Sequence, residues 1–438
     1  TLFRSGHALT PLATNIQAEG ILENWRKEVA AKCIGNPLLL VALSSAFAGP
    51  LLELLGLDMG GGLHLRGASS CGKSTILRAA NSVWGSPQAL GTWRATANGL
   101  EGAAAARNSM LLALDEMAEI SAKEIEQSIY MLANGSGKTR MSSDGTHQAN
   151  SSWRLAMLSS GEIAVADKLQ EASRRITTGV KVRLVDIEAD GRAFGAFDDL
   201  HGSANGAAFA DGMKDAAART FGVAGPAFVA NLMTHASAVR AKARRSMATF
   251  IATAEGRLGP EISGAERRVI QRFALIAFAG KLATAFGVTG WDKQDVENAA
   301  LDILSDWHDR TSGPTEQDRF MLIKTGSYIS KHIDQLAMLG EPVAEKPSDP
   351  IGWRDASHVY VPAATWQAMH PAGEGVEAAR SLHSQRVLLK GDGNNLTRKA
   401  PRGIYGRPRV YVLNLRQVLD AMELVAANGG KPAEDTAA

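Results

Sequence analysis

Gly67-Ala68-Ser69-Ser70-Cys71-Gly72-Lys73-Ser74-Thr75 has the residue types and spacing of a phosphate-binding loop: two glycines, then lysine, then a hydroxyl residue. Each type has a chemical reason. Gly67 and Gly72 let the backbone turn with its N–H groups inward, forming a nest for phosphate oxygens. Lys73 brings a point charge to β- and γ-phosphates, and Ser74 offers a hydroxyl to Mg²⁺. A helix running on from Thr75 aims its positive end at the same anion. Leu63–Arg66 supplies the strand the loop needs before it, and Ile76-Leu-Arg-Ala-Ala supplies the helix after it. Cys71 fills a free position where any small residue fits. The expected cofactors are ATP and Mg²⁺.

Met110-Leu-Leu-Ala-Leu-Asp115-Glu116 places Asp115 42 residues after Lys73. An apolar run ending in two carboxylates reads as a buried strand with acids at its carboxyl end, where ligands sit in an open α/β sheet. Asp115 is expected to hold Mg²⁺ through its water shell, and Glu116 to activate the attacking water. The next strand candidate, Trp153-Arg-Leu-Ala-Met-Leu-Ser159-Ser160, ends in hydroxyl residues. In AAA+ enzymes a polar side chain there touches the water or the γ-phosphate; asparagine is usual, so Ser160 departs from the common form. A ring ATPase also needs a cation from the neighbouring subunit, and Arg174 or Arg175 suits that role. Arg268 and Arg272, one helical turn apart, are candidates for a second sensor, with Arg268 preferred.

Two places look suited to DNA. Gly135-Ser-Gly-Lys138-Thr-Arg140 leads to Asp144-Gly145, a hairpin turn signal. Lys138 and Arg140 share one face of its first arm. From Arg380 to Arg416 there are nine cations, including Arg398, Lys399, Arg407 and Arg409, against one acid, Asp392. A helix over 373–386, a strand beginning at Val387, a turn at Gly391 and a return through Arg409-Val-Tyr-Val-Leu give a winged-helix pattern.

These residues need elements to hold them. At 438 residues, with 45% hydrophobic and 21% charged residues, the chain has room for two or three globular domains. A net charge of +2 confines any nucleic-acid affinity to local patches. Strand candidates Leu63–Arg66, Met110–Leu114, Leu155–Leu158 and Val180–Ile187 alternate with helical patterns, which predicts an α/β fold with a parallel sheet. Residues 1–60 form a helical N-terminal segment, 61–205 the ATPase core, and 206–340 a helical lid and connecting helices. In that last stretch Ser263 and Glu266 predict a capping box. Glu341–Asp349 reads as a linker, 350–416 as the winged-helix domain and 426–438 as a disordered tail. Pro37–Leu52 falls short of a bilayer span and is expected to be a buried helix, with no membrane role. Two cysteines, Cys33 and Cys71, suit a reducing cytoplasm. A start at Thr1 is compatible with a fragment or a processed form.

The blocks Leu63-His-Leu-Arg-Gly-Ala-Ser-Ser-Cys-Gly-Lys-Ser, Trp93-Arg-Ala-Thr-Ala-Asn-Gly-Leu-Glu, Leu114-Asp-Glu, Tyr130-Met-Leu-Ala-Asn-Gly and Ser159-Ser-Gly-Glu resemble a bacterial family. It is catalogued as domain of unknown function 927 and occurs in plasmids, prophages and other mobile elements. The resemblance covers roughly residues 15–415. It implies a helicase-like AAA+ ATPase, similar to superfamily 3 and minichromosome-maintenance helicases, with a winged helix after the ATPase. The reading that follows is a homo-hexameric ring, with single-stranded DNA in its pore and duplex DNA at the winged helix. A replication initiator or helicase loader, and a AAA+ protein remodeller, are the alternatives. The block Trp93–Glu101 has no physical account at this level.

Overall fold

The computed structural model describes residues 17–137, 151–172, 177–260, 262–312, 316–340, 351–371, 373–391 and 395–420. The chain divides into two compact units, Thr1–Arg310 and Thr311–Ala438.

The first unit is built on five parallel strands: β1 (Gly62–Arg66), β2 (Gly91–Thr92), β3 (Leu111–Asp115), β4 (Ala156–Gly161) and β5 (Leu184–Glu188), in the order β2-β3-β4-β1-β5. Helices cover both faces, so the strands are apolar on both sides. Leu63, Leu65, Leu111, Ala113, Leu158 and Val185 point to one face. There they meet the helices Pro37–Leu55, Lys73–Asn81, Gly206–Arg219 and Gly264–Ala285. Leu112, Leu114, Met157 and Leu184 point the other way, against Trp93 and the helices Ala97–Ala106 and Ile125–Asn134. The period-two alternation of a strand separates the two cores.

Pro37–Leu55 is the one helix among the described residues long and apolar enough to cross a bilayer, yet Leu38 through Leu52 are all buried in the protein. It is the expected core helix. Gly49 lets it lie against the entry to β3: a Cβ there would sit 2.4 Å from the Met110 carbonyl oxygen. The capping box forms as expected, with Ser263 Oγ accepting from Glu266 N at 3.2 Å and Glu266 Oε2 accepting from Ser263 N at 2.8 Å.

The apolar run Val180–Ile187 is not one strand. Thr178–Arg183 is a short helix, and β5 begins at Leu184. Val180 and Val182, two apart, would share a face in a strand, but they enter opposite cores. Their β-branched character mimics a strand that the packing does not use.

The second unit holds a five-stranded sheet of β6 (Ala337–Met338), β7 (Trp353–Arg354), β8 (His358–Pro362), β9 (Arg398–Lys399) and β10 (Arg409–Asn414), ordered β6-β7-β8-β10-β9. Its core contains Met321, Ile329, Val359, Val361, Trp366, Leu382 and Leu413. Met321 and Ile329 lie on the helix Glu316–Lys331, so the division falls before that helix, earlier than the polar stretch Glu341–Asp349 suggested. The expected helix over 373–386 is Gly375–Ser384. The expected strand from Val387 is reduced to the bridge Leu388↔Leu413, with Leu389 N donating to Val412 O and Asn414 N to Val387 O, both at 2.8 Å. Arg398–Lys399 continues along the same edge of β10.

Candidate functional site

The loop after β1 is curled by two left-handed residues, Ser70 at φ 61° and Gly72 at φ 113°. Gly72 caps the helix Lys73–Asn81, whose first turn carries Lys73, Ser74 and Thr75. There is no room for a side chain at either glycine. A Cβ on Gly72 would lie 2.7 Å from the Phe197 ring, and one on Gly67 would lie 2.8 Å from the Asp190 carboxyl carbon. Lys73 is buried, and its Nζ donates to the carbonyls of Gly67 at 2.8 Å and Ala68 at 2.6 Å. Cys71 Sγ stands 3.7 Å from that ammonium.

A segment the sequence did not mark packs against this loop. Just after β5, Asp190 Oδ2 accepts from Ala68 N at 2.6 Å, and Ala196 N donates to Cys71 O at 2.8 Å. Gly195, at φ 76°, leaves space that a Cβ would take from the Cys71 carbonyl, 2.6 Å away. Asn36 secures the same segment, its Oδ1 accepting from the amides of Asp198 at 2.8 Å and Asp199 at 3.0 Å. The available signal was the clustering of Gly191, Gly195, Phe194 and Phe197 directly after a strand. Glycines between aromatics mark close backbone approach.

β3 and β4 deliver the acids to the same carboxyl edge of the sheet. Ser160 is fully buried, and its hydroxyl donates to Asp115 Oδ1 in a short hydrogen bond. The hydroxyl expected to touch a reacting water thus lies against the neighbouring carboxylate. Asp115 Oδ1 also accepts from Glu116 N at 3.1 Å. Glu116 is exposed, in the left-handed region at φ 61°. Its carboxyl is held above the ordinary range chiefly by the charge of Glu119, then by desolvation and by Asp115.

Ser159 faces the other side of β4. It accepts from the buried Trp93 Nε1 at 2.7 Å and pairs with His64 Nδ1 at 2.9 Å, while His64 Nε2 lies 3.1 Å from the Ile163 carbonyl. Burial pushes the His64 imidazole down to about 4, so it is neutral at physiological pH. This network ties β1, the strand of the phosphate loop, through β4 to the edge of the sheet. It accounts for the first half of the Trp93–Glu101 block. Trp93 is a buried indole joined to β3 through Trp93 N–Asp115 O at 3.0 Å, and Thr96 Oγ1 caps the following helix by accepting from Gly99 N at 3.2 Å.

The arginines of the second-sensor expectation lie elsewhere. Arg272 is buried, and its guanidinium donates to Val182 O at 2.6 Å and Gly60 O at 2.9 Å. Those carbonyls mark the amino ends of β5 and β1. Arg268 lines a cavity with the same residues. The five residues of β1 span about 17 Å at 3.3 Å per residue and separate both arginines from the loop, so neither reaches a phosphate held by its own chain. Helical spacing showed that the two arginines share a face; which edge of the sheet that face meets is a tertiary outcome. Lys138, Arg140, Arg174 and Arg175 lie outside the described residues.

In the second unit, Arg398, Lys399, Arg407 and Arg409 gather on the β9–β10 hairpin. Three of them brace it: Arg398 Nε donates to Lys390 O at 2.6 Å, Arg407 Nε to Ala400 O at 2.9 Å, and Arg409 Nε to Thr397 Oγ1 at 2.9 Å.

Residues 7–152 match the family model described as a domain of unknown function, DUF927. That segment contains β1, the glycine loop after it, Trp93 and the Asp115–Glu116 pair. The chain also shares the fold of a solved structure described as "SCCmec type IV Cch - active helicase", with a TM-score of 0.62, 19% sequence identity, and coverage of 93% of this chain and 73% of that one. No curated protein matches the chain.

Proposed function

We propose that this chain is an ATP-hydrolysing AAA+ motor that assembles as a ring and translocates along DNA to replicate a mobile element. The observation that carries this reading is the convergence at one carboxyl edge of the sheet: the glycine loop, buried Lys73 at a helix N-terminus, and Asp115 fixed by Ser160. A cradle that excludes even a Cβ at Gly67 and Gly72 fits a polyphosphate approached by backbone N–H groups. On binding, the Lys73 ammonium exchanges carbonyl dipoles for charged phosphate oxygens, which adds the attraction of a full opposite charge. Ser74 and Asp115 would hold Mg²⁺, which when bound draws charge off the phosphates. Glu116 takes the proton of the attacking water, and its raised pKa brings it nearer the operating pH. Arg174 or Arg175 of a neighbouring subunit completes the site, which calls for a ring such as a hexamer.

DNA is the proposed track. The cations of the β9–β10 hairpin, in a winged-helix-like unit, would meet the phosphates of a duplex, and Lys138 and Arg140 would grip a single strand in the pore. A shared fold with a protein described as a helicase, and the DUF927 match, support this reading. The test is ATP turnover and strand displacement by Lys73→Ala. Both should fall by on the order of 10²-fold or more, because the lysine stabilises charge in the transition state. Unwinding by that variant at the wild-type rate would refute the motor. Strong stimulation of turnover by single-stranded DNA is expected; stimulation only by a duplex origin would favour a loader.

A further inference from the structure

A cavity of about 540 Å³ in the first unit opens at the amino edge of the sheet, opposite the phosphate loop. Arg154, Arg183, Arg268 and Arg272 line it, with Asn134 and Gln271. Arg154 is neutralised by Glu53 at 3.0 Å and Asp58 at 3.3 Å. The other three have no carboxylate partner among the described residues. Arg183 donates to Gly179 O at 3.1 Å and Asn134 Oδ1 at 3.4 Å, and lies 4.6 Å over the Tyr130 ring. Arg272 donates only to backbone carbonyls, and its Nε is a buried donor with no acceptor among the described residues. Arg268 is exposed on the cavity wall, and its side chain makes no hydrogen bond or ion pair among them.

This is an unusual concentration of like charge. Burial first, and the charge of Arg183 second, lower Arg272 to about 10. Guanidinium groups are planar donors suited to phosphate oxygens, and an anion would relieve their mutual repulsion while satisfying the idle donors. The cavity also adjoins the Ser136↔Ser152 bridge, since Gly135 and Trp153 are part of its lining.

We propose that this cavity is a phosphate-binding site for single-stranded nucleic acid, with Arg268 and Arg183 contacting the backbone and Arg272 holding the wall. It rests on nucleic acid being the track and adds a contact surface remote from the nucleotide. Two sources share the ligand chemistry, a phosphodiester strand and a free triphosphate, and the measurement separates them. Anisotropy of a labelled oligothymidylate is followed across a salt series for the wild-type full chain, Arg268→Glu and Gln271→Glu. Binding of a fluorescent ATP analogue and ATP turnover without DNA are measured in parallel. Both substitutions lie on the exposed face of a capped helix, so the fold should tolerate them.

The expected result is at least a tenfold loss of oligonucleotide affinity in Arg268→Glu. The slope of log K against log salt should flatten by about 0.7, the value for one lost contact to a single strand. Gln271→Glu should weaken binding in the same direction, with ATP-analogue binding and basal turnover within twofold of wild type. Unchanged affinity and slope in Arg268→Glu, beside a wild-type chain that binds the strand, would overturn the site and leave the motor standing. Loss of ATP-analogue binding with the oligonucleotide unaffected would reassign the cavity to a free triphosphate and overturn it as a strand site. A wild-type chain that binds no oligonucleotide even at low salt would overturn both.

Discussion

Asp115 and Glu116 are neighbours in sequence, but their surroundings differ, and the proposed tasks follow that difference. Asp115 is oriented by the Ser160 hydroxyl and by the Glu116 amide, and is set to hold position. Glu116 is turned outward by its left-handed backbone and feels Glu119 above all. A base must be deprotonated to work, so a raised pKa moves the acid limb of the rate profile to higher pH. Replacing Glu119 with glutamine removes the main cause. The acid limb of ATP turnover in Glu119→Gln should therefore shift to lower pH, by a margin that a turnover profile from pH 5 to 8 resolves. An unmoved limb would separate Glu116 from the rate-determining proton transfer. The residue types and spacing of the loop and the acidic pair pointed to these positions from the sequence. What they did not reveal was the partnership of Ser160 with Asp115, because pairing across β3 and β4 is set by sheet register.

At the scale of elements, the fold depends on one apolar helix pressed against the entry to β3. Pro37–Leu55 carries its glycine at the point of closest approach, and a side chain at Gly49 would overlap the Met110 carbonyl. Backbone cannot yield as a flexible side chain does. Overpacking of this kind costs about 1–3 kcal/mol, so Gly49→Val should lower the thermal midpoint by several degrees in a calorimetric scan. No change in the midpoint would show that the helix is free to shift away from the strand. The apolar run itself announced a buried helix. The run Val180–Ile187 announced a strand and became half helix, because short apolar segments carry too little period to separate the two.

Each of the two units of the molecule has its own buried core. The second includes Met321 and Ile329 from a helix that the polar stretch after it seemed to assign to the first. A fragment of residues 311–438 should thus melt cooperatively by circular dichroism, whereas one beginning at residue 350 loses that helix and should melt lower or not fold. Equal melting of the two fragments would return the boundary to the polar stretch. The glycine loop between a strand and a helix, the acidic strand end, the capping box and the alternation of strands with helices were legible in the sequence, since each is a local pattern with a local physical cause. Only the tertiary structure decided which edge of the sheet each side chain meets. It sent Arg268 and Arg272 to the amino edge, folded the segment after β5 onto the phosphate loop, and joined Trp93, Ser159 and His64 across three strands. Those are contacts between residues far apart in the chain, and their geometry comes from strand order and packing, which no short stretch of sequence encodes.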